Sequence, residues 1–186
     1  VFDAQEVNFD ERRELAETIA GAMGRRADQL IVDALSAGST IVHGSAGLTL
    51  AKLTAASRTL NDNGVPTSDR MLLTSAEGIE DLLGDSTITS ADYNTVRSLV
   101  AGEINSFMGF NIIMMETRAE GGLAKSGTTR DCFAFHKSSI GCAIGLDIST
   151  EVNYIPEKTS WLSLGKYKAG AVTIDTAGIV KVEITE

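Results

Sequence analysis

The stretch Asp69-Arg70-Met71-Leu72-Leu73-Thr74 opens on charged residues and continues as an apolar run that predicts a buried β-strand. Further along the chain, Ser90-Ala91-Asp92-Tyr93-Asn94 places Ser90 where it can cap a helix over residues 90–103. Gly109-Phe110-Asn111-Ile112-Ile113 then lies within residues 107–117, the longest strand candidate. A strand, a helix and a second strand in this order predict a mixed lobe in which helices pack on a sheet.

Upstream of this lobe, apolar side chains recur at three- and four-residue steps over residues 9–36, which predicts one long amphipathic helix. Gly21 and Gly24 weaken its middle and indicate a bend or a close backbone contact, and Gly38 is a plausible stop. A helix of this length spans roughly 40 Å at 1.5 Å per residue, so another part of the chain has to cover its apolar face. The predicted apolar positions are Leu15, Ile19, Ala22, Met23, Ala27, Leu30, Ile31, Ala34 and Leu35.

The remaining segments mix short helices and strands before the chain turns to strands alone. Short elements are predicted at 40–43 (strand), 48–61 and 76–83 (helices), 132–137 (strand) and 138–146 (helix). Residues 118–131 hold three glycines and few apolar side chains, which predicts the most mobile internal loop. Alternation then predicts strands at 151–155, 159–164 and 171–184. This arrangement is α+β.

Composition limits the classes of protein to which this chain can belong. A chain of 186 residues suits one domain or two small lobes. Its net charge of −9 argues against nucleic-acid binding, which depends on Lys and Arg to neutralise phosphates. No apolar run reaches the ~18 residues of a membrane span. The N-terminal Val-Phe-Asp-Ala-Gln-Glu is acidic, unlike a signal peptide, and lacks an initiator Met, so we expect a processed or truncated chain.

Catalytic patterns are weak. The imidazoles are His43 and His136, and His136 could share a strand face with Ser138, but no Gly-x-Ser-x-Gly elbow is present. A structural histidine is the favoured interpretation. The two cysteines, Cys132 and Cys142, are too few for a disulfide scaffold and are predicted to be reduced and buried.

Binding motifs are equally weak. Gly121-Gly122-Leu123-Ala124-Lys125-Ser126-Gly127-Thr128-Thr129 faintly resembles a phosphate loop, but Ala124 precedes Lys125 where that motif needs Gly, and a polar loop is favoured. The two His and two Cys lack zinc-site spacing, and Asp81, Asp85 and Asp92 are predicted to be caps or solvated residues. We therefore predict no catalytic, cofactor-binding or metal residue.

Taken with Phe133-Ala134-Phe135-His136-Lys137 and Gly170-Ala171-Val172-Thr173-Ile174-Asp175, the ordered segments quoted above resemble those of tailed-bacteriophage major capsid proteins, the Hong-Kong-97-type (Johnson) fold. The resemblance implies a long spine helix packed on an antiparallel β-sheet (peripheral domain) plus a mixed α/β axial domain. Carried onto this sequence, residues 1–44 hold the peripheral-domain spine helix, 45–146 the axial domain and 147–186 the return to peripheral-domain strands. The family's N-terminal arm and long β-hairpin have no counterpart here.

The resemblance further implies a major capsid (shell) protein that self-assembles into pentamers and hexamers and encloses DNA without sequence-specific binding. It implies a virion capsid assembled in the bacterial host cytoplasm, possible decoration, portal or scaffolding partners, no membrane and no enzymatic activity. Two alternatives stay open. One is an encapsulin-like or gene-transfer-agent shell protein with the same fold, and the other is a small α+β hydrolase that uses His136.

Overall fold

The computed structural model describes residues 11–41, 46–84 and 106–186. The predicted helix at 90–103 with its cap Ser90, and the residues His43, Asp85 and Asp92, lie outside these ranges. The described helices are α1 (Glu11–Leu35), α2 (Leu50–Asp62) and α3 (Ala76–Gly84). The strands are β1 (Ser39–Ile41), β2 (Arg70–Thr74), β3 (Ser106–Phe107), β4 (Phe110–Met114), β5 (Lys125–Ser126), β6 (Thr129–His136), β7 (Ile140–Ile155), β8 (Ser160–Thr173) and β9 (Ile179–Thr185).

Seven strands form one mixed sheet in the order β1-β9-β6-β2-β4-β3, with β5 paired to β6. The apolar run after Arg70 becomes its central strand β2, parallel to β4 and antiparallel to β6. Because a central strand is covered on both faces, Leu72, Leu73 and Thr74 are all buried rather than alternating. Residues 69–74 thus lie at the centre of the fold.

Helices α2 and α3 supply apolar side chains to this core. Leu53, Ala56 and Leu60 recur along α2 at helical spacing and are fully buried, as is Leu82 of α3. They join a cluster that includes Phe110, Phe133 and Phe135 of the sheet. One contiguous core therefore connects the sheet to these helices.

Strands β7 and β8 form a separate two-stranded antiparallel ribbon. Helix α1 lies along it and contacts both strands. Near the end of α1, the Thr173 hydroxyl donates to the carbonyl of Ala34, and further back Gly165 lies against Ile19 and Met23. A lone two-stranded ribbon is marginal in water, so α1 and the ribbon stabilise each other, and the ribbon is the cover that the helix length required.

Helix α1 differs in detail from the prediction. It runs unbroken through Gly21 and Gly24, neither of which lies close to another element. The close approach is made instead by Gly165 of β8. Val32 and Leu35 are the buried residues of α1, whereas Leu15 is exposed, because the ribbon and sheet together cover the second half of the helix more completely.

Several segment predictions are wrong. The helix predicted at 138–146 is a 3₁₀ turn, Lys137–Ser139, followed by β7, because β8 supplies cross-strand partners from Ile140 onward. The strand predicted at 107–117 is the hairpin β3–β4, turned at Met108 and Gly109, whose φ values are 51° and 82°. Neither error could be seen from local pattern alone, since both depend on pairing.

The closing strands divide between the two sheets. The segment predicted as one strand over 171–184 is broken by a 3₁₀ turn, Thr176–Gly178, so that β8 belongs to the ribbon and β9 to the large sheet. The predicted boundary between residues 146 and 147 falls inside β7. Residues 147–186 therefore do not return to one sheet.

The predicted mobile loop at 118–131 is largely structured. Gly121 to Leu123 are buried, and the backbone N–H of Gly121 donates to Gln29 Oε1 of α1 at 3.0 Å. A side chain at Gly121, whose φ is 77°, would meet the Arg25 backbone at 2.8 Å. Strands β5 and β6 then form a hairpin. The glycines here permit close packing and a tight turn.

Candidate assembly surface

The ribbon presents its outer face, the side turned away from α1, to solvent. Along β8 the residues alternate strictly between half-buried and exposed from Ser163 to Thr173, because α1 covers only one face. Leu162 and Leu164 lie on the outer face and are 45% and 40% exposed. Opposite residues of an antiparallel pair share a face, so Leu146, paired with Lys168, lies on the same side.

The described residues concentrate large exposed apolar side chains on this ribbon. They number thirteen in all, and the eight on β7 and β8 are Ile144, Leu146, Ile148, Tyr154, Trp161, Leu162, Leu164 and Val172. A single exposed apolar residue is ordinary, but this concentration on one element, with Leu146, Leu162, Leu164 and Val172 on the outer face, marks an interaction surface. The ribbon is therefore the described part of the chain best suited to association.

An aromatic pair lies at the ribbon end next to the connecting turn. Tyr154 and Trp161 are directly opposite in the register, with ring centroids 5.0 Å apart and planes inclined by 57°. Both are 48% exposed. A tilted aromatic pair buries well against another surface and is enriched at protein interfaces, so this end of the ribbon adds a candidate contact point.

Polar groups divide the outer face. Lys166 Nζ lies 2.9 Å from Glu151 Oε1 across the ribbon, with both side chains about half exposed. An exposed pair of this kind contributes little to stability. It does alternate with the apolar positions Leu164 and Leu146, which gives the face a pattern that a partner has to match in charge as well as shape.

The backbone edges of the ribbon are interrupted. Register shifts occur between Ile144 and Leu146 and between Leu146 and Ser149, so β7 carries irregularities near its middle. Such bulges twist a strand and discourage another strand from pairing along the full edge. At the β7 edge, association through the outer face is therefore favoured over edge-to-edge strand addition.

The side chain of Arg70 has a structural role. Arg70 is 3% exposed, and its guanidinium donates to the carbonyls of Pro66 and Val65 and to Asn61 Oδ1 at 2.6–2.8 Å. It thereby closes the turn between α2 and β2. Burial lowers the pKa of Arg70, and the fork of donors binds three oxygens of the segment that joins α2 to β2.

A buried lysine fixes the start of α2. Lys52 Nζ donates to the carbonyls of Ala46 and Glu183 at 2.6 and 2.9 Å. Burial lowers the pKa of Lys52, partly offset by nearby acidic groups. Asp81, predicted to be a cap or a solvated residue, instead accepts the N–H of Leu48 through Oδ2 at 3.0 Å, just before the N-cap residue Thr49 of α2.

The structure brings His136 and Ser138 together, with Nδ1 and Oγ 2.7 Å apart. The same Nδ1 accepts the backbone N–H of Ser138 at 3.2 Å, so the imidazole caps the 3₁₀ turn that follows β6. A catalytic pair needs a third group to orient the base and donors for the developing charge. This arrangement fits the structural interpretation of His136.

The cysteines differ from each other. Cys132 is buried in β6, its Sγ 3.5 Å from Thr74 Oγ1, and burial raises its pKa to about 11. Cys142 is exposed on β7, so the prediction of two buried thiols is wrong for it. Across residues 11–41, 46–84 and 106–186, no group of three or more His, Cys, Asp or Glu is arranged to hold a metal ion. None of the helices described is both long and apolar enough to cross a membrane.

Sequence reasoning missed the assembly surface, although a signal was present. In Trp161-Leu162-Ser163-Leu164-Gly165-Lys166, leucine alternates with small residues, which indicates two faces of different character. The contacts of Arg70 and Lys52 had no such signal, because most of their acceptors are backbone carbonyls whose positions depend on the fold.

Comparison with known proteins agrees with this architecture. A chain of Mycobacterium phage Che8 is 21% identical, with a TM-score of 0.63 over 84% of this chain and 55% of that one. A chain in the capsid of cyanophage P-SCSP1u is 14% identical, with a TM-score of 0.71 over 98% of this chain and 68% of that one. A chain in the capsid of a native GTA particle is 15% identical, with a TM-score of 0.71 over 99% and 69%.

At these identities the three structures show a shared fold, and the present chain spans only about half to two thirds of their lengths. No curated protein matches the chain. The model of the phage capsid protein family matches residues 1–186, the whole sequence. The chain belongs to the phage capsid protein family.

Proposed function

We propose that this chain is a major capsid (shell) protein of a tailed bacteriophage, which self-assembles into pentamers and hexamers around a DNA genome. The observation that carries the proposal is the family match over the whole sequence. The fold supports it, because the long helix packed on a ribbon, joined to a mixed sheet with helices, is the α+β arrangement that the Hong-Kong-97-type resemblance implies.

The division into two domains follows the two sheets. We propose that α1 with the β7–β8 ribbon is the peripheral domain and that the large sheet with α2 and α3 is the axial domain. The support is that α1 contacts both ribbon strands, whereas α2 contacts β9 and β1 of the large sheet. This proposal assigns β9 to the axial domain and all of β7 to the peripheral domain.

The outer face of the ribbon is the part of the proposed peripheral domain that needs a neighbour. Leu162, Leu164 and Leu146 are exposed there although α1 covers the opposite side. In a shell, copies related by rotation bury such a patch repeatedly through the same heterologous contact. We infer that these residues are buried between subunits in the particle.

The remaining expectations follow from this role. A net charge of −9 supports enclosure of DNA without sequence-specific binding. Decoration, portal or scaffolding partners, a location in the virion capsid and assembly in the host cytoplasm belong to the proposal. The chain would act as a structural protein rather than an enzyme, so its surfaces rather than a pocket would carry the function.

The test is assembly of outer-face variants. Leu162→Glu and Leu164→Glu should leave far-UV circular dichroism unchanged, because both positions are already partly solvated. They should abolish particles in light scattering and negative-stain microscopy, because a buried unpaired charge is costly. Thr54→Glu, which adds the same charge at an exposed site on α2, is the matched control.

Particles from both leucine variants would refute the assignment of this face, and a wild-type protein purified from its source only as a monomer would refute the shell function itself. His136→Ala should leave assembly intact. Loss of an esterase or phosphatase activity in that variant would instead favour the hydrolase.

A gene-transfer-agent shell protein is the second candidate, because the GTA capsid is as similar in fold as the cyanophage capsid. Sequencing the DNA inside purified particles distinguishes the two. One repeated genome supports the phage, and a broad sample of host DNA supports the agent.

A further inference from the structure

One end of the large sheet holds a carboxylate that contacts three other parts of the fold. Glu186 directly follows β9, and its side chain is 1% exposed. Ser75 Oγ donates to Oε1 at 2.5 Å, and Arg130 Nε donates to Oε2 at 2.5 Å. Lys125 Nζ lies 3.3 Å from the same Oε2. We call these four residues the Glu186 cluster.

Each partner of the carboxylate also holds another segment. Ser75 Oγ accepts the N–H of Gly78 at 3.1 Å in the first turn of α3. Arg130 Nη1 donates to the carbonyl of Leu123 at 2.8 Å. Leu123 lies two residues after Gly121, which packs on α1, and Lys125 belongs to β5. The carboxylate therefore connects β9 with the start of α3, the β5–β6 hairpin and the segment beneath α1.

Only the ionised carboxylate can accept from all three donors at once. Burial by itself would raise the pKa of Glu186, but hydrogen bonds from Ser75 and Arg130 and the charge of Arg130 outweigh it, so the pKa lies below its ordinary value. The remaining titratable neighbour is Cys132, whose thiol is neutral because burial raises its pKa to about 11. The facing charges are thus Arg130 and Lys125.

We propose that the Glu186 carboxylate is a proton-sensitive fastening for the β5–β6 hairpin. While it is ionised, the hairpin and residues 121–123 stay attached to the sheet end. Protonation removes the ion pairs with Arg130 and Lys125, and β5 opens together with residues 121–123 while β2, β6 and β9 remain paired. Because the folded-state pKa is depressed, the fastening is fully present above the unfolded value of about 4.3 and is lost as the pH falls through the lower folded value.

Hydrogen exchange followed by mass spectrometry tests the proposal on the whole chain. Glu186→Gln at pH 7 should speed exchange in peptides covering 121–128 by about tenfold or more, because hydrogen bonds to a charged group are the strong ones. Peptides covering 179–184 should change little. Glu17→Gln, which breaks the exposed ion pair with Arg13 on α1, is the matched control and should leave both regions unchanged.

Equal exchange in the Glu186→Gln and wild-type proteins would overturn the proposal, and so would equal acceleration in both regions, since that is a loss of global stability. If the variant does not fold, the wild-type protein is followed from pH 7 downward with exchange corrected for its intrinsic pH dependence. Opening of 121–128 before 179–184 supports the fastening, and simultaneous opening overturns it. The outcome does not depend on whether the chain assembles.

Discussion

Two glycines on the same strand offer a direct test of how α1 lies on the ribbon. A Cβ atom at Gly165 would lie 2.1 Å from Met23 Cε and 2.6 Å from Ile19 Cγ2, whereas a Cβ at Gly170 would meet nothing within 4 Å. Both residues are in β8, and the alternation of that strand places them on opposite faces. Gly165→Ala and Gly170→Ala are therefore the same chemical change in two environments.

The two substitutions should change the free energy of unfolding in opposite directions. Replacing a strand glycine by alanine gains about 0.5–1 kcal/mol from reduced freedom of the unfolded chain. Gly170→Ala should show this gain. At Gly165 the overlap with Met23 forces a repacking that costs about 1–3 kcal/mol, so the net change should be a loss of about 1 kcal/mol. For a chain of this size, that is a fall in Tm of roughly 2–4 °C.

Urea unfolding of the two variants, with Met23→Ala and the double variant Met23→Ala/Gly165→Ala, completes the measurement. Removing the Met23 side chain makes room for the new methyl group, so the double variant should be more stable than the sum of the single changes by about 1 kcal/mol. If Gly165→Ala stabilises the protein as much as Gly170→Ala does, α1 does not cover this face of the ribbon, and the reasoning is refuted.

Three further predictions follow from buried groups. Arg70→Met should lower the free energy of unfolding by about 2–4 kcal/mol in urea titration, because three acceptors lose their donor. Arg70→Lys should have a stability between those of the wild-type protein and Arg70→Met. An unchanged unfolding midpoint for Arg70→Met would contradict this role. Native protein should consume one equivalent of a thiol reagent per chain, at Cys142, and unfolded protein two equivalents, because Cys132 is buried and its pKa is about 11. Cys142→Ser should abolish the reaction of the native protein. Trypsin should cleave the native chain after Arg118, which lies in an exposed segment, before Arg130, which is buried and paired with Glu186; first cleavage after Arg130 would show that the hairpin is open at neutral pH.

The sequence predicts best where burial on both faces leaves a continuous apolar run. Met71 to Thr74 and the helices at 48–61 and 76–83 were expected within two residues of their observed bounds, since their patterns are set by the core they face. The α+β class follows from the same patterns. The resemblance carried the expectation of a spine helix on a sheet, and α1 on the ribbon agrees with it.

Errors arose where a partner elsewhere in the chain decides the structure. Residues 138–146 read as a helix because Ile140, Ala143 and Ile144 are spaced like one, yet β8 offers strand pairing over the whole segment. The glycines at 121 and 127 read as a flexible loop, although one packs on α1 and the other makes a hairpin turn. The Glu186 cluster unites residues up to 111 positions apart, which no local pattern indicates.

The position of β9 has a consequence for biosynthesis. This strand is made after every other strand described, yet it lies between β1 and β6, so that residues 39–41 join the sheet only through it. A nascent chain can form the β7–β8 ribbon against α1 early, but the large sheet stays open until residues 179–185 leave the ribosome. Pairings this distant in sequence form slowly, and an open sheet edge is prone to wrong contacts. Partly synthesised chains therefore hold an incomplete sheet, and we expect synthesis of β9 to set the earliest moment at which a subunit can adopt its final shape.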